Sequence, residues 1–565
     1  MRRSSSFLTR ATCRLAAAAL CTFFLIASPG LAQDSAPASG YTVRGTVLDA
    51  VSGQPLGRTL VALGQEFAQL TDGAGGFSFD NVPQDFYMVS IRKPGYRSIG
   101  PVVGAIMRSG PGMAARPLPA RPIQVGPDLQ PLTFRLTPLA VIAGHVTLST
   151  SDPADGIQVM AYAHQLQNGR ERWTVAGSAR TRSDGSFRID ELAPGSYMVY
   201  TEPSLEADRL TNNRGPAWGY PAVYYPGVTD PSAAGILSLK PGQQAAAEIS
   251  LVRQPFFPVT AVVRSPNPDQ PASYQILDSG GRPTRLVAVY DRRDDLIHAS
   301  VPSGSWSLEA HGYGREMLWG RTDFQVTGGP VGFAISLLPV PHIPVNIRRD
   351  FTASADGSQT QMSGPGINLF LVSADDFSMS SFGGGLNSVE NSQGQEWELR
   401  IQQPGRYWVQ AQPFPPAYVS SITSGGVDLA ANPLIIVPGN NPAPIDITLR
   451  NDGGTITGDI AGASLTNSGG VSSGMQGPRV WVYAIPLFPT PANMPTGFVR
   501  PDGEFTISGL APGSYRVVAC DAPEEIDFHT PDGLAAWAGK GETVSVDAGG
   551  SAHVELSVLS TEGAQ

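Results

Sequence analysis

Only three cysteines occur in 565 residues, and lysine is as scarce, with Lys93, Lys240 and Lys540 the whole complement. Two of the cysteines, Cys13 and Cys21, precede or interrupt an apolar run from Leu15 to Ala27 that follows Arg2, Arg3, Arg10 and Arg14 and is itself followed by Gly30-Leu31-Ala32. This is the layout of a secretory signal, with cleavage expected between Ala32 and Gln33. Cleavage there leaves Cys520 alone, so the exported chain has no internal disulfide. The run of 13 residues is too short to span the roughly 30 Å bilayer core, and no later stretch offers 18 apolar residues free of Gly, Pro or charge.

Charge is also sparse, with Asp, Glu, Lys and Arg together at 15% and a net charge of −10. Without the signal's four arginines the balance is 34 basic against 48 acidic residues, net −14. A phosphate-binding surface needs concentrated positive charge, so no nucleic-acid partner is expected, and binding to an anionic membrane surface has no support in the sequence. Motifs for chemistry are missing as well. None of the seven histidines starts a His-Glu-x-x-His or His-x-x-Glu pattern, no Gly-Lys-Ser/Thr phosphate loop occurs, and Gly195-Ser196-Tyr197 and Gly304-Ser305-Trp306 fall in expected hairpin turns rather than in a strand-to-helix nucleophile elbow. The expectation is no enzyme, no cofactor and no resident metal. Asp291 with Asp294 and Asp295, and Asp375 with Asp376, fit no calcium loop and read as solvated turns.

What is abundant is Gly and Pro, 64 and 50 residues, and a repeated phrase. Phe187-Arg188-Ile189-Asp190-Glu191-Leu192-Ala193-Pro194-Gly195-Ser196-Tyr197 returns as Phe505 to Tyr515 almost unchanged, and looser copies end on Tyr87, Trp306 and Tyr407. In each copy an apolar residue (Phe77, Phe187, Leu296, Trp397, Phe505) precedes the aromatic by ten, and the aromatics are 110, 109, 101 and 108 residues apart. That is a domain-sized period. Alternation at i and i+2 on both sides of the Pro-Gly reads as two strands joined in a β-hairpin, with the alternating set facing inward. Asp72-Gly73, Asp184-Gly185 and Asp502-Gly503 supply the preceding turn, and Gly45, Gly144 and Gly458 inside opening strands indicate a bulge or a close backbone approach.

The fold class is therefore all-β, about five tandem Ig-like or transthyretin-like β-sandwich domains after a signal at 1–32, bounded at 40–138, 139–253, 254–339, 340–451 and 452–560. Short linkers make the array a semi-rigid rod or arc. One aromatic cluster, Trp218, Tyr220, Tyr224 and Tyr225, is the candidate ligand-binding set, since flat apolar rings suit a sugar or a partner surface; the alternative is that its members pack inward as strand residues.

Gly45-Thr46-Val47-Leu48-Asp49 through Pro55-Leu56, then Thr71-Asp72, Gly76-Phe77 and the Pro-Gly-x-Tyr phrases, resemble the carboxypeptidase regulatory-like domain, plainly in the first, second and fifth units and more loosely in the third and fourth. The resemblance implies a transthyretin-like sandwich, grouped with carbohydrate-binding-like folds, in tandem on exported bacterial proteins. It implies no peptidase activity, because that module is an accessory to a separate zinc domain. The function expected is a non-enzymatic binding, adhesion or spacer module in the periplasm, on the outer surface or outside the cell. Polysaccharide or envelope protein is the partner class, and the alternative role is an accessory subunit of an exported enzyme or outer-membrane transport system.

Overall fold

The computed structural model describes residues 40–100, 118–119, 122–127, 129–167, 169–206, 217–314, 316–352, 364–375, 384–391, 394–461, 480–500, 502–521 and 524–559. The segment expected to be a signal, with its expected Ala32/Gln33 boundary, lies outside the described residues, and so does Asp376. The chain is all-β: strands fill it, and the helical elements among the described residues are a turn at Pro231–Ala233 and one short helix at Pro531–Ala536. No helix among these residues is long and apolar enough to cross a membrane.

Five large apolar clusters occupy successive stretches of chain, spanning Val43 to Leu136, Ala140 to Leu251, Phe256 to Leu337, Trp319 to Leu449 and Ile456 to Leu556. Each is built on one plan. An opening strand (Tyr41–Asp49, Ala140–Leu148, Gln254–Arg264, His342–Arg349, Gly454–Ala461) runs parallel to the alternating strand that closes its unit. Its other edge is antiparallel to the first strand of the repeated phrase (Gly76–Val82, Ser186–Leu192, Leu296–Pro302, Gly394–Ile401, Glu504–Leu510).

The glycine of the opening strand lies opposite the phrase's first aromatic, in the pairs Gly45 and Phe77, Gly144 and Phe187, Gly458 and Phe505. A Cβ on these glycines would fall 1.9 to 2.5 Å from a carbonyl of the closing segment. Close approach is thus the reason for glycine here. In the third and fourth units valine takes the place, Val262 opposite Leu296 and Val345 opposite Trp397. Leu296 and Trp397 are only half-buried; Ile297 enters the core beside Leu296, and Leu399, two residues on from Trp397, is fully buried.

The expected hairpin is not formed. In no unit do the two strands of the phrase pair with each other; the second strand (Phe86–Arg92, Gly195–Thr201, Gly304–Gly312, Gly405–Pro413, Gly513–Cys520) crosses to the opposite layer. In the first three units the two strands belong to different sheets, while in the fourth and fifth the layers are joined into single curled sheets of nine and seven strands. The connection is an arch over the core. Both alternating sets face inward, one from each layer, which a sequence pattern of period two cannot distinguish from one face of a hairpin.

Four of the five arches are pinned alike. Tyr197 Oη donates to the Ala193 carbonyl at 2.5 Å, Tyr515 to Ala511 at 2.7 Å, Tyr407 to Gln403 at 2.8 Å, and Trp306 Nε1 to Pro302 at 3.0 Å. Each bond spans four residues and ties the second strand to the end of the first, as tyrosine corners do in other sandwiches. The residue two before the ring is Gly195, Gly304, Gly405 or Gly513, with φ of 147 to 156°, a conformation that side chains rarely adopt. Ahead of the phrase, Asp72 Oδ1 accepts from the amides of Ala74 and Gly76, Asp184 Oδ1 from Ser186 and Asp502 Oδ1 from Glu504, as the Asp-Gly turns require.

The array does not run out as a rod. The second unit reaches past the third: Arg172 donates to the carbonyls of Ser373 and Asp375 at 3.2 and 3.0 Å, and the Arg170 guanidinium sits 3.4 Å from the Trp408 ring centroid. The fifth unit joins the fourth through Ala411 N donating to Pro491 O at 2.9 Å. Non-neighbouring units therefore meet, and the arc folds back on itself.

Candidate functional site

The four aromatics proposed from the sequence do not share a face. Trp218 and Tyr220 lie on Ala217–Tyr220, a strand of the second unit that pairs with the third unit's opening strand. Trp218 is exposed, with the Arg253 guanidinium 4.6 Å from its ring; Arg253 is bidentate to Glu206, which also accepts from Tyr220 Oη at 2.8 Å. Tyr224 is 1% exposed. It stacks on Tyr200 at 5.1 Å, which stacks on Tyr162 at 5.6 Å. Tyr225 is half-buried against the second unit's core.

The stack already holds a cation. Arg282 of the third unit, 2% exposed, lies 5.0 Å from the Tyr224 ring and 5.7 Å from Tyr200, and its Nε pairs with Asp278 at 2.8 Å. Nearby Arg285 pairs with buried Glu202 at 2.8 Å, and burial pushes that carboxyl's pKa up against the attraction of Arg285. The aromatic set is thus split: part sits inward as strand residues do, and part clamps the second unit to the third through cation–π and charged contacts. The partner residue, 58 positions after Tyr224, carried no signal in the sequence.

The acidic groups are likewise engaged. Asp291 accepts from the Arg293 amide, Asp294 meets His298 at 2.9 Å, and Asp295 accepts from Tyr290 Oη. Among the described residues no group of three or more His, Cys, Asp or Glu is placed to hold a metal ion. Cys520 is fully buried, and burial pushes its thiol up to about 11, far from a reactive thiolate.

A cavity of about 500 Å³ opens where the second, fourth and fifth units meet. Arg170 opens the strand Arg170–Arg180 in one wall, Trp408 stands in the fourth unit's Gly405–Pro413, and Asp527 to Thr530 lead into the fifth unit's helix. The Asp527 carboxylate is buried and used by its own loop, accepting from the amides of His529 and Thr530 at 2.9 and 3.1 Å and from Thr530 Oγ1. Thr530 Oγ1 in turn caps the helix by accepting from Gly533 N at 3.1 Å.

Burial draws the Arg170 guanidinium down to about 10, with Asp527 opposing, so it stays charged at neutral pH. His529 falls to about 4, first through burial and then through Arg170, and is neutral at pH 7. A charged fork on an indole face, a neutral imidazole and a capped carboxylate line one space. Residues 170, 408 and 529 belong to three units, so no local motif could have indicated it.

No family model matches the chain, and no curated protein does. Among solved structures it is similar to the Bacillus anthracis TIE protein (11% identity, TM-score 0.17, covering 53% of this chain and 51% of that one). It is also similar to a streptococcal ancillary pilin (10%, TM-score 0.18, 52% and 99%) and to GBS52, the minor pilin of Streptococcus agalactiae (12%, TM-score 0.16, 36% and 96%). The chain spans about half the length of the TIE protein. At such TM-scores these likenesses carry no inference about this chain.

Proposed function

We propose that the chain is an exported, non-enzymatic array of five β-sandwich modules of the carboxypeptidase regulatory-like type, with the boundaries expected from the repeat, serving as a binding or spacer element of the cell envelope. Polysaccharide or an envelope protein is its partner. The observation that carries this reading is how arginine side chains are spent between units: Arg282 of the third on Tyr200 and Tyr224 of the second, and Arg170 of the second on Trp408 of the fourth, while Arg253 covers Trp218 within the second. Such contacts suit a body that presents a fixed shape. The test is small-angle scattering on residues 33–565 together with pull-downs from envelope extract. One dominant maximum in the distance distribution and a retained envelope component are expected; a long linear tail, or no retained component, would reject the reading. N-terminal sequencing of the exported protein checks the Ala32/Gln33 boundary.

A further inference from the structure

We propose that the cavity between the second, fourth and fifth units binds a small carboxylate, with Arg170 as the residue that receives it. The cavity's volume, about 500 Å³, lies within the roughly 300–1,000 Å³ of small-molecule sites. Of the charged residues that line it, Glu171, Asp375 and Asp532 are exposed, and the ones withdrawn from solvent are Arg170, Arg172 and Asp527, two cations to one carboxylate. The arginine ion pairs among the described residues fall on Arg253, Arg282, Arg285, Arg321, Arg400, Arg406, Arg450 and Arg500, and Arg170 has none. A half-buried cation is ordinarily paired.

The nearby acids do not fill that role. Asp527 is held by its own loop, Asp375 is 3.5 Å from Arg406, Glu171 is 3.7 Å from His164, and Asp532 is exposed in the helix's first turn. Stacking on Trp408 turns the N–H bonds of the Arg170 fork sideways from the ring, the arrangement that suits a planar, two-oxygen acceptor. Neutral His529 adds one ring donor and one ring acceptor for the rest of the ligand. Arg172, held on two carbonyls, shapes the wall.

The inference rests on the folded-back docking of the units, which scattering tests by itself. The binding experiment is calorimetry on the full exported chain with three probes: glucuronate, cyclohexanecarboxylate and glucose. Both carboxylates are expected to bind with Kd of about 1 mM or tighter, the level an ordinary ligand of about a dozen heavy atoms reaches, and to change Trp fluorescence; glucose is expected not to bind. Arg170→Gln and Arg170→Lys should each weaken the carboxylates at least about tenfold, the lysine because it keeps charge but loses the fork, while Glu504→Gln, in an exposed ion pair away from the cavity, leaves them unchanged. Equal binding of glucose and glucuronate, or no binding of either carboxylate to a chain whose scattering shows docked units, would overturn the proposal. Should Arg170→Gln undo the docking, the comparison of the three probes on the unaltered chain still decides.

Discussion

The fifth unit and the first carry the same phrase and finish it differently. In the fifth, Pro512-Gly513 leads to a Tyr515 that is 2% exposed and bonded to Ala511. In the first, Asp85 stands where Gly513 does, and it keeps a negative φ. Tyr87 there is half-exposed, makes no hydrogen bond to the protein, and meets Phe67 edge-on at 5.9 Å. Both rings belong to the inward-facing set of their strand. The difference shows that the corner depends on the glycine: without it the chain cannot turn so as to bring the ring over the end of the preceding strand.

Native-state hydrogen exchange, read separately over each unit's core amides, can break this comparison. Tyr515→Ala should lower the opening free energy of the fifth unit by about 3–5 kcal/mol, the cost of removing a large buried ring; a loss under about 0.5 kcal/mol would mean the ring does not close the core. Gly513→Ala and Gly195→Ala should each cost about 1–3 kcal/mol in backbone strain. Gly513 should be the worse, since its Cβ would lie 2.4 Å from the Phe488 ring, whereas at Gly195 nothing stands within 4 Å. Equal effects would point to strain alone. Tyr515→Phe, which keeps the ring and deletes the bond to Ala511, should cost about 1 kcal/mol.

Acidification separates the corner from the junction of units. The folded-state pKa of His529, about 4, lies below the roughly 6.5 of a free histidine, so the unfolded or undocked chain binds more protons between those values. Its contribution is complete above about pH 6.5 and is lost as pH falls toward 4. Scattering should therefore show the fifth unit loosening from the second over that window while exchange at the Tyr515 corner holds. Tyr87→Phe should have the smallest effect, within about 0.5 kcal/mol, because no bond is lost.

Much of the fold was legible because it is written locally. The Phe187 and Phe505 phrases, the Asp-Gly turns and the opening glycines each place a strand, a turn or a close approach within about a dozen residues, and the period repeats them. The hairpin reading failed at the one step the pattern leaves open. Alternation tells which residues of a strand face the core, and it is identical for a strand that folds back onto its neighbour and one that crosses the core. The candidate site was less legible. Trp218 and Tyr220 stood out by composition, yet their partners Arg253 and Glu206, and the Arg282 that covers Tyr224, were marked by nothing nearby.

The chain by itself determined an all-β array and, in the second and fifth units, the residues of the phrase that fill the core, because side-chain alternation, turn chemistry and the conformational freedom of glycine act over a few neighbouring residues. Only the tertiary structure decided that the phrase bridges two layers, that the second unit docks on the fourth and fifth, and that Arg170, Trp408 and His529 enclose one cavity. Those outcomes depend on surfaces assembled from residues as much as 359 positions apart, and attraction between such surfaces exists only once the units that carry them have folded.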